Sequence, residues 1–284
     1  ADGVIIKLND YIDKYAPNYK KIMEENPDWK KQMVLDDGTL YCFNYLRGAF
    51  DLDFGPVIRN DWLKKLGLKI PETIDELYTV LKAFRTQDPN GNGNPDDELP
   101  FISGIAYLAP AFGVSGLTGG RTMGFFKEGN TVKFGPLEPE YKEYITTMRK
   151  WYAEKLIDPE FPLNNDSKLI DEKVLNDRAG FYFAYANMSI NKYNPLKEGT
   201  DFDLIGIPWL KDSSGKSVSD FVKYAVEGWG DYITTNNKYP VETVKWCDYK
   251  YSPEMITIIN WGLEGQAHTI VNGRPEFIDL VMNN

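Results

Sequence analysis

The stretch Val57–Pro100, VIRNDWLKKLGLKIPETIDELYTVLKAFRTQDPNGNGNPDDELP, governs how the rest of the chain is read. Its first residues are a strand end that runs into a short helix, and Gly67 suits the left-handed position that closes such a helix. Thr73 and Glu76 have the spacing of a capping box, in which side chain and backbone satisfy each other at a helix start. Ile74, Leu77, Leu81 and Phe84 then recur at helical spacing. The helix ends in DPNGNGNPDDELP, a loop crowded with oxygen donors.

Counting from Asp88, donors stand at positions 1, 3 and 5: Asp88, Asn90 and Asn92. Gly93 at position 6 permits a sharp turn, Asn94 at 7 can offer its carbonyl, and Asp96 stands at 9. Hard oxygens spaced D-x-[DN]-x-[DN]-G around a tight turn suit Ca²⁺, with Mg²⁺ the weaker fit. An EF-hand would place a bidentate Glu at position 12 and continue as a helix, whereas Leu99 stands there and a strand follows. The closing carboxylate must therefore come earlier. The expected metal set is Asp88, Asn90, Asn92, Asn94, Asp96 and Asp97, with Glu98 in reserve. The plainer alternative is an Asn/Gly/Pro turn that holds no metal. A calcium loop between helix and strand would be a structural staple.

Upstream, NDYIDKY reads as a short helix with Asn9 as N-cap, and Pro17 can open the next helix. DDGTLYCFNYL is a turn followed by an aromatic-rich strand. Downstream, LPFISGIA is a strand, and a Gly-rich, hairpin-like segment follows. The helix EPEYKEYITTMRKWYAEKLI carries an apolar stripe of Tyr141, Tyr144, Ile145, Met148, Trp151 and Tyr152, read as core. AGFYFAYA, FDLIGIPWL and GDYITT are strands with helices between and after them. Alternation of the two element types is the α/β pattern. Chain crossings near Pro100–Ala111 and Val226–Tyr232 would make residues 1–104 with 232–284 one lobe and 105–231 the other.

The 284 residues suffice for two lobes or one large domain, and 42% hydrophobic residues is a globular value. Aromatics reach 14%, including 18 Tyr and 7 Trp, side chains with an apolar face and a polar tip. Forty-two acidic against 32 basic residues give net −10, which disfavours nucleic acid as a partner. Cys42 and Cys247 stand far apart and outside any CxxC motif. Two buried thiols are the simpler reading and one bridge the alternative. No stretch approaches the roughly 18 apolar residues of a membrane span. GLTGG lacks the Lys-Ser/Thr of a phosphate loop, and the lone His268 accompanies no nucleophile motif, as for a surface or loop histidine.

LNDYIDKYAPNYKKIMEENPDWKK, DGTLYCFNY, VIRNDWLKKLGLKIPETIDELYTVLKAF, the donor loop, ITTNNKYPVETVKWCDYKYSPE and NWGLEG occur in the order and form seen in one family. The chain resembles extracellular solute-binding proteins of family 1, the lipoprotein receptors of carbohydrate ABC importers in Gram-positive bacteria. Asp97 stands where that family usually has Glu, and Glu98 looks like an added acid. The family's signal peptide, lipobox cysteine and first strand are absent, and the segment after EG is short, so the chain is expected to be truncated at both ends. The resemblance implies an α/β, two-lobe, hinge-connected periplasmic-binding-protein-like fold of type II. It further implies a monomer, extracellular and lipid-anchored in full length, that presents an oligosaccharide or other small molecule to ABC permease subunits.

Sugar binding needs aromatic faces and planar polar side chains. The candidates are Tyr45, Arg47, Arg59, Phe112, Tyr185, Trp229, Trp261 and Glu264, with Tyr41 and Trp62 considered beside them. Tyr45, Arg47, Tyr185 and Trp229 lie in irregular or strand-end contexts, where cleft residues tend to lie. Trp62 opens an amphipathic helix and leans to the core. Two rival classes stand beside the receptor: a glycan-active hydrolase, for which Glu264 is the most tempting acid, and a calcium-stapled adhesion module.

Overall fold

The computed structural model describes residues 3–46, 54–94, 96–115, 117–118, 122–163, 166–216 and 226–282. Three short helices open the chain: α1 (Asn9–Tyr15), α2 (Pro17–Glu25) and α3 (Pro27–Met33), the last two with proline at their first position. There the missing N–H costs no hydrogen bond. Strand β1 (Cys42–Leu46) follows. Next come β2 (Phe54–Arg59), α4 (Asn60–Lys65), α5 (Ile74–Thr86) and β3 (Leu99–Phe101), then a 3₁₀ turn at Ile105–Phe112. Two small hairpins pair β4 (Leu117–Thr118) with β5 (Thr122–Met123) and β6 (Phe125–Glu128) with β7 (Thr131–Phe134). Then come α6 (Pro139–Ala153), α7 (Ser167–Leu175), β8 (Ala179–Tyr185), α8 (Ile190–Leu196) and β9 (Leu204–Gly206). The chain closes with β10 (Val226–Tyr232), α9 (Pro240–Tyr249), α10 (Pro253–Trp261), the hairpin of β11 (His268–Val271) and β12 (Arg274–Phe277), and α11 (Asp279–Met282).

Two compact units result, Ala1–Phe50 with Lys223–Asn284 and Asp51–Val222. In the first, Leu8, Ile12, Ala16, Tyr19 and Met23 form one buried stripe along α1 and α2. It packs on Phe43 of β1 and on Val226, Ile233, Val244 and Cys247 from the far end of the sequence. β1 pairs antiparallel with β10. Asp248 of α9 is buried and accepts from the Tyr19 backbone N–H at 2.8 Å and from Asn18 Nδ2 at 2.8 Å. It therefore satisfies the open N–H groups of α2 from more than two hundred residues away. Asn9 does not cap α1. Its amide donates to the Gly38 carbonyl and accepts from the Leu40 N–H, bracing the turn before β1. Cys42 and Cys247 are buried free thiols.

In the second unit a four-stranded sheet runs β3-β8-β2-β9, with β3 parallel to β8 and β2 antiparallel to both neighbours. α5 lays Leu77, Leu81 and Phe84 against Trp62, Phe101, Trp151 and Phe181. The expected boundaries at 104/105 and 231/232 are thus corrected to 50/51 and 222/223. β2 is an interior strand bonded to β8 and β9, so 54–101 shares its core with 105–210. Element alternation does not reveal which sheet a strand joins, because that pairing is long-range.

The Thr73–Glu76 capping box forms as its spacing predicts. Thr73→Ala is expected to lower stability by about 1 kcal/mol, checked by the midpoint of urea denaturation.

Candidate functional site

The donor loop folds around its own side chains. Asp88 takes a left-handed backbone and accepts from the N–H groups of Gly91, Asn92 and Gly93 at 3.0, 3.1 and 3.0 Å. Asn90 Oδ1 accepts from the Asn92 N–H at 2.9 Å, and Asn92 Oδ1 from the Asn94 N–H at 2.7 Å. Asn92 Nδ2 donates to Asp97 Oδ2 at 2.8 Å. Asp96 turns away: it is 82% exposed at the side chain and pairs with Arg85 at 2.7 Å. Glu98 is only 2% exposed. Both its carboxylate oxygens and Oδ1 of Asp97 are buried without a hydrogen-bond partner. Burial pushes the Glu98 carboxyl above its ordinary pKa; the negative charges of Asp97 and Asp88 add to the rise, and the nearby backbone of Glu98 and Asn90 opposes it more weakly than burial drives it.

An orphaned buried carboxylate costs several kcal/mol unless something neutralises it. These three oxygens beside Asp88 and the Asn donors have the chemistry of a hard-cation site. No group of three or more His, Cys, Asp or Glu side chains placed to hold a metal occurs among the described residues. A cation here would therefore draw on Asn and backbone oxygens as well as on carboxylates. The loop is tied to the turn just before β8: Asn90 Nδ2 donates to the Asp177 carbonyl at 3.2 Å, and Arg178 Nε donates to the Asp97 carbonyl at 3.1 Å.

Arg59 is not a free ligand contact. It is 3% exposed, donates to both oxygens of Asp61 at 2.8 and 2.5 Å, and meets Asp177 at 3.0 Å. Its guanidinium lies over Trp62 and Phe202. Trp62 is buried edge-on against Phe84, in the core. Phe112 packs edge-on against Tyr144 and serves the interior of its unit. Arg47 lies outside the described residues.

Tyr45 and Trp229 are brought together. Between the pairs Asn44–Gly230 and Leu46–Val226, β10 carries three residues opposite one of β1, a bulge. Such extra residues re-aim side chains. Asn44, buried, donates from Nδ2 to the Glu227 carbonyl at 3.1 Å and fixes the bulge. Gly230 is required there: a Cβ would lie 2.1 Å from the Phe43 carbonyl oxygen. The rings of Tyr45 and Trp229 stack at 4.5 Å and 13°, yet remain 48% and 55% exposed.

The remaining candidates have partners of their own. Tyr185, at the end of β8, meets Phe54 edge-on at 4.8 Å, and Phe54 also touches Tyr107 and Trp209. Phe54, Tyr107 and Trp209 were not among the sequence candidates; the one signal that could have found them is aromatic density beside strand ends. Trp261 packs on Phe277 at 4.8 Å. Glu264 is exposed in the turn before β11. His268 is buried rather than superficial, its Nδ1 3.2 Å from the Trp261 carbonyl. The buried carboxylates among the described residues are Glu98, Asp158 and Asp248. Asp158 pairs with buried Lys173 at 2.6 Å and Asp248 caps α2.

A family model described as bacterial extracellular solute-binding protein matches residues 1–256. The chain is 34% identical over 278 residues to the fructooligosaccharide ABC transporter substrate-binding protein FusA of Streptococcus pneumoniae, covering 93% of this chain and 49% of that one. The chain thus spans about half the length of that relative. Its structure is similar to that of the alginate-binding protein AlgQ2 without calcium ion, with TM-score 0.83 and 31% identity over all of this chain and 58% of that one. It is also similar to the FusA EF-hand mutant in complex with fructo-nystose, with TM-score 0.70 and 31% identity over 98% and 59%. The fold is the type II periplasmic-binding-protein-like α/β fold.

Proposed function

The chain belongs to the bacterial extracellular solute-binding protein family, and on that premise we propose that it captures an oligosaccharide outside the cell for import by an ABC transporter. The observation that carries this reading is the stacked, exposed Tyr45–Trp229 pair. About half of each residue's surface lies in water, held there by a bulge that costs ladder hydrogen bonds. Such a platform suits the C–H face of a sugar ring, which stacks on aromatic surface while its hydroxyls stay solvated or bonded. The relatives support the class of ligand, since FusA is named for fructooligosaccharides and AlgQ2 for alginate.

The protein acts by binding and performs no catalysis. Two of its buried acids are accounted for by an ion pair and a helix cap, and Glu98 lies in the donor loop. The third part of the proposal is one structural Ca²⁺ in that loop. Asp88, Asn90, Asn92, the Asn94 carbonyl, Asp97 and Glu98 would hold it, with Asp96 left to Arg85. Calcium and an EF-hand are named for the two structural relatives. A lipid anchor in the full-length protein and permease subunits as partners complete the proposal.

Calorimetric titration with fructo- and uronate oligosaccharides tests it. At least one is expected to bind, and Trp229→Ala to weaken that binding about tenfold with the thermal midpoint unchanged. Equal affinity of the variant, or hydrolysis of the glycan by the purified protein, would refute the reading.

A further inference from the structure

Within the unit 51–222 a cavity of about 690 Å³ opens between α6 and the turn at Ser103–Tyr107. That is the size of a small-molecule site. Tyr144, Met148, Ile157 and Phe183 are buried at its base. Ile145, Tyr152 and Phe161 line it with much of their surface exposed, as rim residues would. The apolar stripe of α6 thus divides between core and rim, and helical spacing alone cannot show this. Gly104 keeps the turn against the base: its φ is +87°, and a Cβ would lie 2.7 Å from that of Phe183.

Arg149 is the one charged side chain among the described lining residues. It is exposed and has no ion pair or hydrogen bond among the described residues. The adjacent Lys150 is engaged elsewhere, over the Tyr78 ring. In a chain of net −10, an uncommitted cation at the mouth of an apolar cavity is an unusual placement. No Asp, Glu, Asn or Gln lines the space among the described residues. The Tyr144 hydroxyl is already spent on the Ile105 carbonyl at 3.2 Å. A sugar seated there would find only the hydroxyls of Ser103, Tyr107 and Tyr152 and the Arg149 guanidinium to replace the water lost from its many hydroxyls.

We infer that this cavity is a separate binding site for a small aromatic carboxylate, its ring among the aromatic walls and its negative group at Arg149. The site lies in one unit and uses neither Tyr45 nor Trp229. The probes are 2-naphthoate and its neutral analogue 2-naphthamide, titrated calorimetrically. The naphthoate is expected to bind one to one and about fivefold more tightly than the amide. Arg149→Gln should abolish that preference, and Ile145→Trp at the rim should weaken both probes. Both substitutions are at exposed positions, so an unchanged thermal midpoint verifies folding. Trp229→Ala should leave naphthoate binding intact, which keeps this test independent of the carbohydrate reading. Equal affinity for the two probes, a preference that survives Arg149→Gln, or no binding to the native protein would each overturn the assignment.

Discussion

Calcium added to chelator-treated protein is expected to raise its stability by about 3 kcal/mol at hundredfold excess over the dissociation constant. Glu98→Gln is expected to abolish that gain, and Asp96→Asn to leave it largely intact. The argument for Glu98 is energetic. Its carboxylate is buried, unpartnered and close enough to Asp97 and Asp88 to feel their charge. No cationic side chain reaches the Glu98 carboxylate among the described residues, so its ionised form is disfavoured unless a cation binds. Asp96 has the spacing of a ligand but spends its charge on Arg85 in solvent. Glu98→Gln should leave the chelated protein no less stable, since it removes an uncompensated buried charge. Denaturant titrations of the native protein and both variants, with and without calcium, measure all six states. A calcium gain that persists in Glu98→Gln and vanishes in Asp96→Asn would assign the ligands by loop spacing instead.

Arg59→Met is expected to cost about 3 kcal/mol of stability, the low end for breaking a buried ion pair. The low end applies because Asp177, one of the two acids left behind, reaches solvent. Asp61 is only 14% exposed at the side chain, and it loses a two-pronged partner. The cation between Trp62 and Phe202 is lost as well, although the methionine retains apolar contact. Glycan affinity per folded molecule should not change, because no surface of Arg59 is available to a ligand. Urea denaturation beside calorimetry on the folded fraction checks both halves. A stable variant with weakened glycan binding would return Arg59 to the ligand site.

Local signals were legible wherever one turn of chain decides the outcome. The capping box at Thr73 and Glu76, Pro17 at the head of α2 and Gly67 in its left-handed turn depend on near neighbours, and each stands where the sequence predicts it. The collinear motifs likewise identified the family, and with it the fold. The site was legible only in part. Tyr45 and Trp229 were chosen as aromatics in irregular context, but their stacking depends on a bulge held by Asn44 and on Gly230 crossing Phe43.

The sequence by itself determined which residues could serve: hard oxygen donors in one loop, aromatic faces near strand ends, and no catalytic motif. Tertiary structure alone decided which of them are free to. It buried Arg59 between two acids and two rings, sent Asp96 to Arg85, and left Glu98 without a partner. It also moved 54–101 from one unit to the other by pairing β2 with β8. The physical reason is common to all four. A side chain's spacing is set by its neighbours in sequence, but its solvation and counter-charge are set by residues many positions away.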